Sequence, residues 1–241
     1  MILDTEQEDE QDLKREEKYQ RLPKELKNDT VKKYYHILSK KKASLFLKRT
    51  FDILVSLFLL ILLSPIFLIL AVWIKLDSKG SVFYRQERVT TYGKKFRIFK
   101  FRTMVQDADK KGSLITIGQD VRITKIGSKI RKCRLDEIPQ LLNVLKGDMS
   151  FVGTRPEVSK YVEKYTDEMK ATLLMPAGIT SRASIEYKDE DKIMSTYLNK
   201  GEKIDDIYLN RILPEKMKYN LEYIEKFNIL EDIKICIKTI L

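Results

Sequence analysis

The chain has 241 residues, of which 43% are hydrophobic, a composition that excludes global disorder. Its 46 Lys and Arg against 35 Asp and Glu give a formal net charge of +11, which suits nucleic acid, anionic lipid or phosphorylated substrates alike. Two cysteines without CxxC spacing argue against a disulfide framework or a zinc site, and the single histidine, His36, argues against Ser-His-Asp catalysis, so any catalysis would rest on carboxylates, lysines and arginines.

Residues 1–47 form a charged N-terminal extension. Within it, residues 1–30 hold ten acidic and six basic side chains, a net charge of −4, and few large apolar groups. This composition predicts a solvated helix or a disordered arm. Residues 31–241 consequently carry +15, so the basic character belongs to the body of the protein.

The segment predicted to enter a membrane is residues 48–77, with an almost unbroken apolar run over residues 53–74. As one straight helix this run would be about 33 Å long, enough to cross a hydrocarbon core of about 30 Å. However, basic residues flank it on both sides, and such flanks stay cytoplasmic. Pro65 removes the hydrogen bond to the carbonyl of Ile61, and Ser64 can satisfy the freed backbone, which predicts a break. We expect a re-entrant helix-break-helix hairpin with both ends in the cytoplasm; a kinked crossing is the alternative.

Residues 78–205 are the predicted catalytic domain. SVFYRQERV and KKFRIFKFRTM, joined by T-T-Y-G, alternate in polarity and predict a β-hairpin with one basic face and one aromatic face. The aromatic face would be formed by Phe96 and Ile98 or by Phe99 and Phe101. The polar stretch over residues 106–120 predicts a loop.

The stretch DEIPQLLNVLK predicts a helix over residues 136–146. Asp136 would cap it, Leu141, Leu142 and Leu145 would form its apolar face, and Gly147 would end it. Residues 206–241 form a predicted amphipathic segment in which apolar residues at helical spacing alternate with lysines, typical of an interfacial helix, although IKICIK leaves a strand open. The fold class is therefore α+β, mainly helical.

The densest set of chemically useful residues is RKCRLDEIPQ, residues 131–140. Asp136 and Glu137 lie at a predicted helix N-terminus beside Arg131, a setting that favours anions. One carboxylate could attack phosphorus while the other holds Mg²⁺. From these residues alone, ordinary helix capping by the carboxylates is the commoner situation.

Three further cations are candidates for phosphate binding. Lys100 and Arg102 alternate onto one strand face of the predicted hairpin, although a solvated strand edge would look the same. Arg155 follows Gly153 in FVGTRPEV, a stiff turn that can present a guanidinium to a ligand, or merely a loop.

Together these stretches closely resemble the bacterial sugar transferases, or monotopic phosphoglycosyl transferases. The resemblance runs from about Lys48 to the C-terminus. It rests on KRTFDILVSLFLLILLSPIF, KLDSKGSVFYRQERV, KKFRIFKFRTM, RKCRLDEIPQLLNVLKGDMSFVGTRPEV and PAGIT. It implies transfer of a sugar-1-phosphate from a UDP-sugar to undecaprenyl phosphate, with release of UMP, at the cytoplasmic face of the bacterial inner membrane. The pathways implied are those of capsule, exopolysaccharide or other glycans.

The resemblance also implies roles for individual residues. Asp136 would be the nucleophile that forms a phosphosugar-aspartyl intermediate, and Glu137 would take part in Mg²⁺ binding. Lys100 matches the lysine of the family's K-F-R-[ST]-M stretch, and Arg131 matches the family's arginine five residues before the nucleophile. Arg155 matches the position associated with the nucleotide end of the donor, and Ser64-Pro65 matches the break of the re-entrant helix.

Two departures from the family pattern bear on the site. Thr154 replaces the first proline of G-P-R-P and so removes one proline's rigidity next to Arg155, and Arg134 adds a positive charge beside the position of the family's nucleophile. The competing interpretation is a non-enzymatic basic protein of the membrane surface, held by inner-membrane lipid. No recognition helix or stacking platform for nucleic acid is evident. A homodimer and the identity of the sugar stay open.

Overall fold

The computed structural model describes residues 2–108, 120–187 and 190–240, and it describes side chains from residue 10 onwards except those of Asp191 and Ile240. The chain is mostly helical with a small amount of sheet, as predicted. The helices are α1 (Ile2–Gln20), α2 (Asp29–Ser39), α3 (Lys42–Leu62), α4 (Ser64–Asp77), α5 (Lys125–Lys132), α6 (Leu141–Lys146), α7 (Ser159–Val162), α8 (Asp167–Lys170), α9 (Arg182–Glu186), α10 (Glu190–Leu198), α11 (Ile204–Ile207), α12 (Leu213–Lys226) and α13 (Ile229–Ile240). The strands are β1 (Phe83–Val89), β2 (Lys95–Phe101), β3 (Met149–Val152) and β4 (Ala177–Thr180).

The N-terminal extension is helical and its second half is part of the core. Tyr19, Leu22 and Leu26 are buried in a cluster that also contains residues of α2 and α12. The Tyr19 hydroxyl donates a hydrogen bond of 3.0 Å to the carbonyl of Asn28, whose side chain caps α2. The prediction of a solvated helix or disordered arm is therefore wrong for residues 19–26, because a few apolar side chains are enough to anchor a charged helix.

The predicted break at Ser64-Pro65 is confirmed. α3 ends at Leu62, Pro65 lies in the first turn of α4, and the two helices are bent by 62°. The Ser64 hydroxyl donates a hydrogen bond of 2.8 Å to the carbonyl of Ile61, the acceptor that Pro65 leaves without its usual partner. Among the described residues, no single helix has the length and apolar composition needed to cross a bilayer, whereas α3 and α4 taken together do.

Both helices of this bent pair expose large apolar side chains. Phe58 and Ile61 on α3 are 62% and 68% exposed, and Leu68 and Leu76 on α4 are 71% and 80% exposed. A contiguous exposed apolar surface of this kind marks a membrane or protein contact.

Both outer ends of the bent pair are anchored in the same globular body. On α3, Arg49 donates hydrogen bonds of 2.6 and 2.9 Å to the carbonyls of Val144 and Leu145 in α6. The buried Lys48 ammonium binds the carbonyl of Val152 at 2.7 Å and a carboxylate oxygen of Asp232 in α13 at 2.6 Å.

At the other end, Leu70 and Ile74 of α4 pack in one buried cluster with Phe101 of β2 and Ile130 of α5. The outer end of α3 and the outer end of α4 are therefore both held by the same globular body.

The predicted β-hairpin is confirmed. β1 and β2 pair antiparallel, with Phe83 opposite Phe101. The prediction of a single aromatic face is wrong: Phe96 and Ile98 pack against Val144 and Met149, whereas Phe101 belongs to the cluster under α4. Apolar residues occupy both faces of β2 because the strand lies between two cores.

The helix predicted over residues 136–146 forms in two parts. Residues Leu135–Gln140 are a 3₁₀ helix that includes Pro139, and α6 follows directly and ends at Gly147, whose φ is 88°. On α6 the buried residues are Leu141, Asn143 and Val144, so the predicted apolar face is shifted.

The chain ends in the helix α13, so the alternative of a strand is wrong. Its apolar residues Leu230, Ile233 and Ile237 are exposed, as an amphipathic surface helix requires. The predicted loop over 106–120 lies outside the described residues except at its ends.

Candidate active site

The Asp136-Glu137 pair lies in the first turn of the 3₁₀ helix that follows α5. The residue before this helix, Arg134, has a left-handed backbone with φ of 53°, and its amide donates to the carbonyl of Arg131 at 3.0 Å. This hydrogen bond closes a tight turn over residues 131–134. The N-cap position of this helix is occupied by Arg134, so the prediction that Asp136 is the cap residue is wrong; the Asp136 carboxylate lies within the first turn, where it accepts a hydrogen bond from its own backbone amide.

Glu137 is held by two cations. The Lys100 ammonium lies 2.7 Å from Glu137 Oε1, and the Arg155 guanidinium lies 3.7 Å from the same oxygen. The side chains of Lys100 and Glu137 are 20% and 15% exposed, whereas that of Arg155 is 43% exposed. The fold thus brings together residues from β2, the 3₁₀ helix and the loop after β3.

The two adjacent carboxyl groups have opposite pKa shifts. Burial raises the pKa of Asp136, as does the neighbouring Glu137, and the charges of Lys100 and Arg131 only partly offset these effects. Burial also acts to raise the pKa of Glu137, but Lys100 and Arg155 outweigh it and lower that pKa to about 2. Burial lowers the pKa of Lys100. Glu137 is therefore firmly ionised, while Asp136 is the more basic carboxylate.

Asp136 has the features of a nucleophile. It is half-buried beside cations, and among the described residues no other side chain hydrogen-bonds to its carboxylate. A carboxylate in this state keeps its lone pairs available for attack on phosphorus.

Arg102 lies in a different environment from Lys100. Its guanidinium donates hydrogen bonds of 2.6 Å to the carbonyl of Ser78, 2.7 Å to that of Lys79 and 3.3 Å to that of Ile74. Arg102 follows the last residue of β2, so it leaves the strand face on which Lys100 lies. It caps the C-terminal end of α4, where the helix dipole favours a cation.

Asn143 positions the site and was not identified from the sequence. Its side chain is fully buried; it accepts a hydrogen bond of 2.8 Å from the amide of Phe99 and donates one of 3.0 Å to the carbonyl of Arg97. These bonds fix α6 to the free edge of β2, next to Lys100. The feature of the sequence that could have identified Asn143 is its polarity among the apolar residues of QLLNVLK.

Close packing of the backbone around Gly153 and Gly178 sets the position of the loop that carries Arg155. A Cβ atom on Gly153 would lie 2.1 Å from the carbonyl oxygen of Pro176, and one on Gly178 would lie 2.2 Å from the amide nitrogen of Gly153. Only glycine fits this approach of β3 to β4. The loop beyond is held to β1, because Arg88 donates to the carbonyl of Pro156 at 3.0 Å and the Val89 amide donates to that of Glu157 at 2.9 Å.

The carboxylates of this site fit a magnesium ion that takes most of its ligands from substrate phosphates and water. Among the described residues, no group of three or more His, Cys, Asp or Glu side chains is placed to hold a metal. Mg²⁺ is commonly held by one or two carboxylates together with substrate phosphates and water. The shortest contacts of Lys100 and Arg155 with Glu137 are both to Oε1.

The family model described as bacterial sugar transferase matches residues 43–241, a range that contains every residue of this site. The chain belongs to this family.

Members of the bacterial sugar transferase family with curated names are similar to this chain. It is 35% identical over 198 residues to the UDP-N-acetylgalactosamine-undecaprenyl-phosphate N-acetylgalactosaminephosphotransferase of Aeromonas hydrophila, covering 81% of this chain and 43% of that protein. It is 36% identical over 199 residues to the UDP-glucose:undecaprenyl-phosphate glucose-1-phosphate transferase of Escherichia coli, covering 80% and 39%. It is 31% identical over 208 residues to the exopolysaccharide production protein ExoY of Sinorhizobium fredii, covering 80% and 83%.

The chain therefore spans less than half the length of the first two of these relatives and most of the third. The shared part is the part that holds the site.

Proposed function

We propose that this bacterial sugar transferase moves a sugar-1-phosphate from a UDP-sugar to undecaprenyl phosphate and releases UMP. The observation that carries the proposal is the Asp136 carboxylate beside a Glu137 that is ion-paired to Lys100 and approached by Arg155. The names of the relatives support the choice of donor and acceptor. The reaction would begin the assembly of a capsule, exopolysaccharide or other glycan.

The chemistry proceeds in two displacements at one phosphorus atom. In the first, a carboxylate oxygen of Asp136 bonds to the phosphorus that bears the sugar, and the phosphoanhydride bond to UMP breaks. In the second, a phosphate oxygen of undecaprenyl phosphate attacks the same phosphorus and the bond to Asp136 breaks. The net product is an undecaprenyl diphosphate-sugar, and Asp136 is regenerated.

The cations around the site would bind the donor's phosphates. Lys100 and Arg155 hold Glu137 in place and leave N–H groups for phosphate oxygens, and Arg131 adds a positive charge near Asp136. Glu137 would hold Mg²⁺, whose charge would offset the repulsion between the anionic nucleophile and the anionic diphosphate.

The bent pair α3–α4 would be a re-entrant membrane hairpin, at the cytoplasmic face of the inner membrane. If the bend is symmetric about the membrane normal, each arm slopes by half of 62° to the membrane plane. An arm of about 12 apolar residues, roughly 18 Å long, would then reach roughly 9 Å deep, within one leaflet. Anchoring of both outer ends in one globular body supports re-entry over a kinked crossing.

The alternative of a non-enzymatic membrane-surface protein accounts less well for the site. A surface that binds anionic lipid needs exposed lysines, whereas Lys100 is largely buried against Glu137. Burying an ion pair costs desolvation free energy, and binding a lipid surface gives no reason for that cost.

The test uses the purified chain, Mg²⁺ and a panel of UDP-sugars without lipid. We expect about one UMP released per protein, and a mass increase of one phosphosugar on the chain. Asp136→Asn should abolish both, whereas Asp206→Asn, a matched change at an exposed aspartate, should abolish neither. If no UDP-sugar yields UMP even after undecaprenyl phosphate is added, the chain is not this enzyme.

A further inference from the structure

A cleft of about 300 Å³ is lined by α1, α2 and the start of α3, together with Tyr92 and Leu174. Five cationic side chains and one acidic side chain line it, namely Lys14, Arg15, Lys18, Arg21, Lys42 and Glu17. All six precede residue 43, where the family match begins, so the proposed transfer reaction does not account for the cleft.

The cations of the cleft are only partly neutralised by the protein. Lys14 and Arg15 are paired with acidic residues of α1 itself. Lys18, Arg21 and Lys42 form no ion pair among the described residues, and the Nε atom of Arg15 is buried without a hydrogen-bond partner. Like charges gathered around a concave site, with one acidic side chain among them, favour an anion there.

The rest of the cleft lining is three leucines, two tyrosines and Ser39, and it includes the start of the bent helix pair. Leu38, Leu45 and Leu174 line the cleft. Lys42 is the first residue of α3, and one turn further on Phe46 is 72% exposed on the same helix. The cleft therefore adjoins the helix on which the exposed apolar surface begins, so it suits a phosphate carried on an apolar stem.

We propose that this cleft binds the phosphate group of an anionic glycerophospholipid. The phosphate lies among Lys18, Arg21 and Lys42, and the glycerol end of the acyl chains lies against the leucines. The proposal rests on the membrane association proposed above but not on its transfer chemistry. A lipid bound there fixes the rotation of the catalytic body on the membrane surface, and this gives the N-terminal extension a function.

The experiment titrates the full chain in neutral detergent with phosphatidylglycerol or with phosphatidylcholine and counts the retained lipid by native mass spectrometry. We expect one phosphatidylglycerol retained in preference to phosphatidylcholine. Lys18→Glu combined with Arg21→Glu should weaken retention about 30-fold. Lys24→Glu combined with Lys27→Glu makes the same charge change at exposed lysines outside the cleft and should leave retention within threefold.

A third variant separates the cleft from general electrostatics. Ser39→Trp fills the cleft without changing its charge and should weaken retention as strongly as the double reversal. Equal retention by all variants would overturn the proposal. Inorganic phosphate or UMP that displaces the lipid at equal concentration would also overturn it, in favour of a site for soluble phosphates.

UMP release from a UDP-sugar, measured on the same samples, keeps this proposal distinct from the proposed function. The cleft variants should release UMP at the wild-type level. Variants that lose lipid selectivity but release UMP normally would support the lipid site without bearing on the transfer reaction. Absence of UMP release in the wild type would contradict the transfer reaction without bearing on the lipid site.

Discussion

Lys100 favours the ionised form of both carboxyl groups in the site. It lies 2.7 Å from Glu137 and also lowers the pKa of Asp136, against the effect of burial. Asp136, the proposed nucleophile, must be ionised to attack, and burial raises its pKa. Activity should therefore be lost on acidification at a pH above the ordinary range of an aspartate.

Replacing Lys100 with glutamine should move this acid limit to higher pH. Without the ammonium, the pKa values of Asp136 and Glu137 both rise, so a larger fraction of each is protonated at a given pH. The pH dependence of kcat/KM for UMP release measures the shift. Lys95→Gln, at an exposed lysine of the same strand, is the control, and an unchanged acid limit in Lys100→Gln would contradict this account.

The lowered pKa of Glu137 also predicts an effect of acid on folding. Its pKa falls from 4.5 to about 2, so ionised Glu137 stabilises the fold above about pH 4.5, and that stabilisation is lost as the pH falls towards 2. The contribution is at most about 3 kcal/mol. Thermal unfolding between pH 2 and 6 should show a smaller loss of stability in Glu137→Gln, and no such change in Glu163→Gln, at an exposed glutamate.

At the scale of elements, Arg102 connects the bent helix pair to the strand that carries Lys100. It follows β2 directly and binds three carbonyls at the end of α4. A shift of α4 would therefore move Lys100 as well. Through this connection the proposed membrane hairpin would set the position of Lys100.

Arg102→Met should destabilise the fold by about 2–4 kcal/mol, because buried carbonyls at the end of α4 lose a charged donor. Thermal unfolding in detergent measures this loss, with Arg97→Met at an exposed arginine of the same strand as the control. An Arg102→Met protein as stable as the Arg97→Met protein would show that the cap does not hold α4 in place.

At the scale of the whole molecule, the catalytic body holds both outer ends of the bent helix pair. The buried Lys48–Asp232 ion pair joins α3 to α13, and the packing of Ile74 against Phe101 joins α4 to β2. We therefore expect both flanks to lie in the same compartment as the site. Undecaprenyl phosphate would reach Asp136 from the bilayer and the UDP-sugar would reach it from the cytoplasm.

Cysteine labelling tests this topology. In a Cys133→Ser, Cys236→Ala background, Lys40→Cys and Lys79→Cys place single thiols at exposed positions outside α3 and α4. A membrane-impermeant maleimide should label both in inverted inner-membrane vesicles and neither in spheroplasts. Leu62→Cys, at the bend, should react in neither preparation. Labelling of the two flanks from opposite sides would establish a kinked crossing.

Local patterns in the sequence determined the break at Ser64-Pro65, the hairpin of β1 and β2 and the helix stop at Gly147, because backbone geometry at proline, glycine and alternating strands depends on near neighbours. Order along the chain could not reveal that Arg102 caps α4 while Lys100, two residues away, binds Glu137. Only the tertiary structure decided this, because β2 lies between two cores and the chain turns as the strand ends. The positions of Asn143 and of the N-terminal cleft likewise depend on contacts between distant segments.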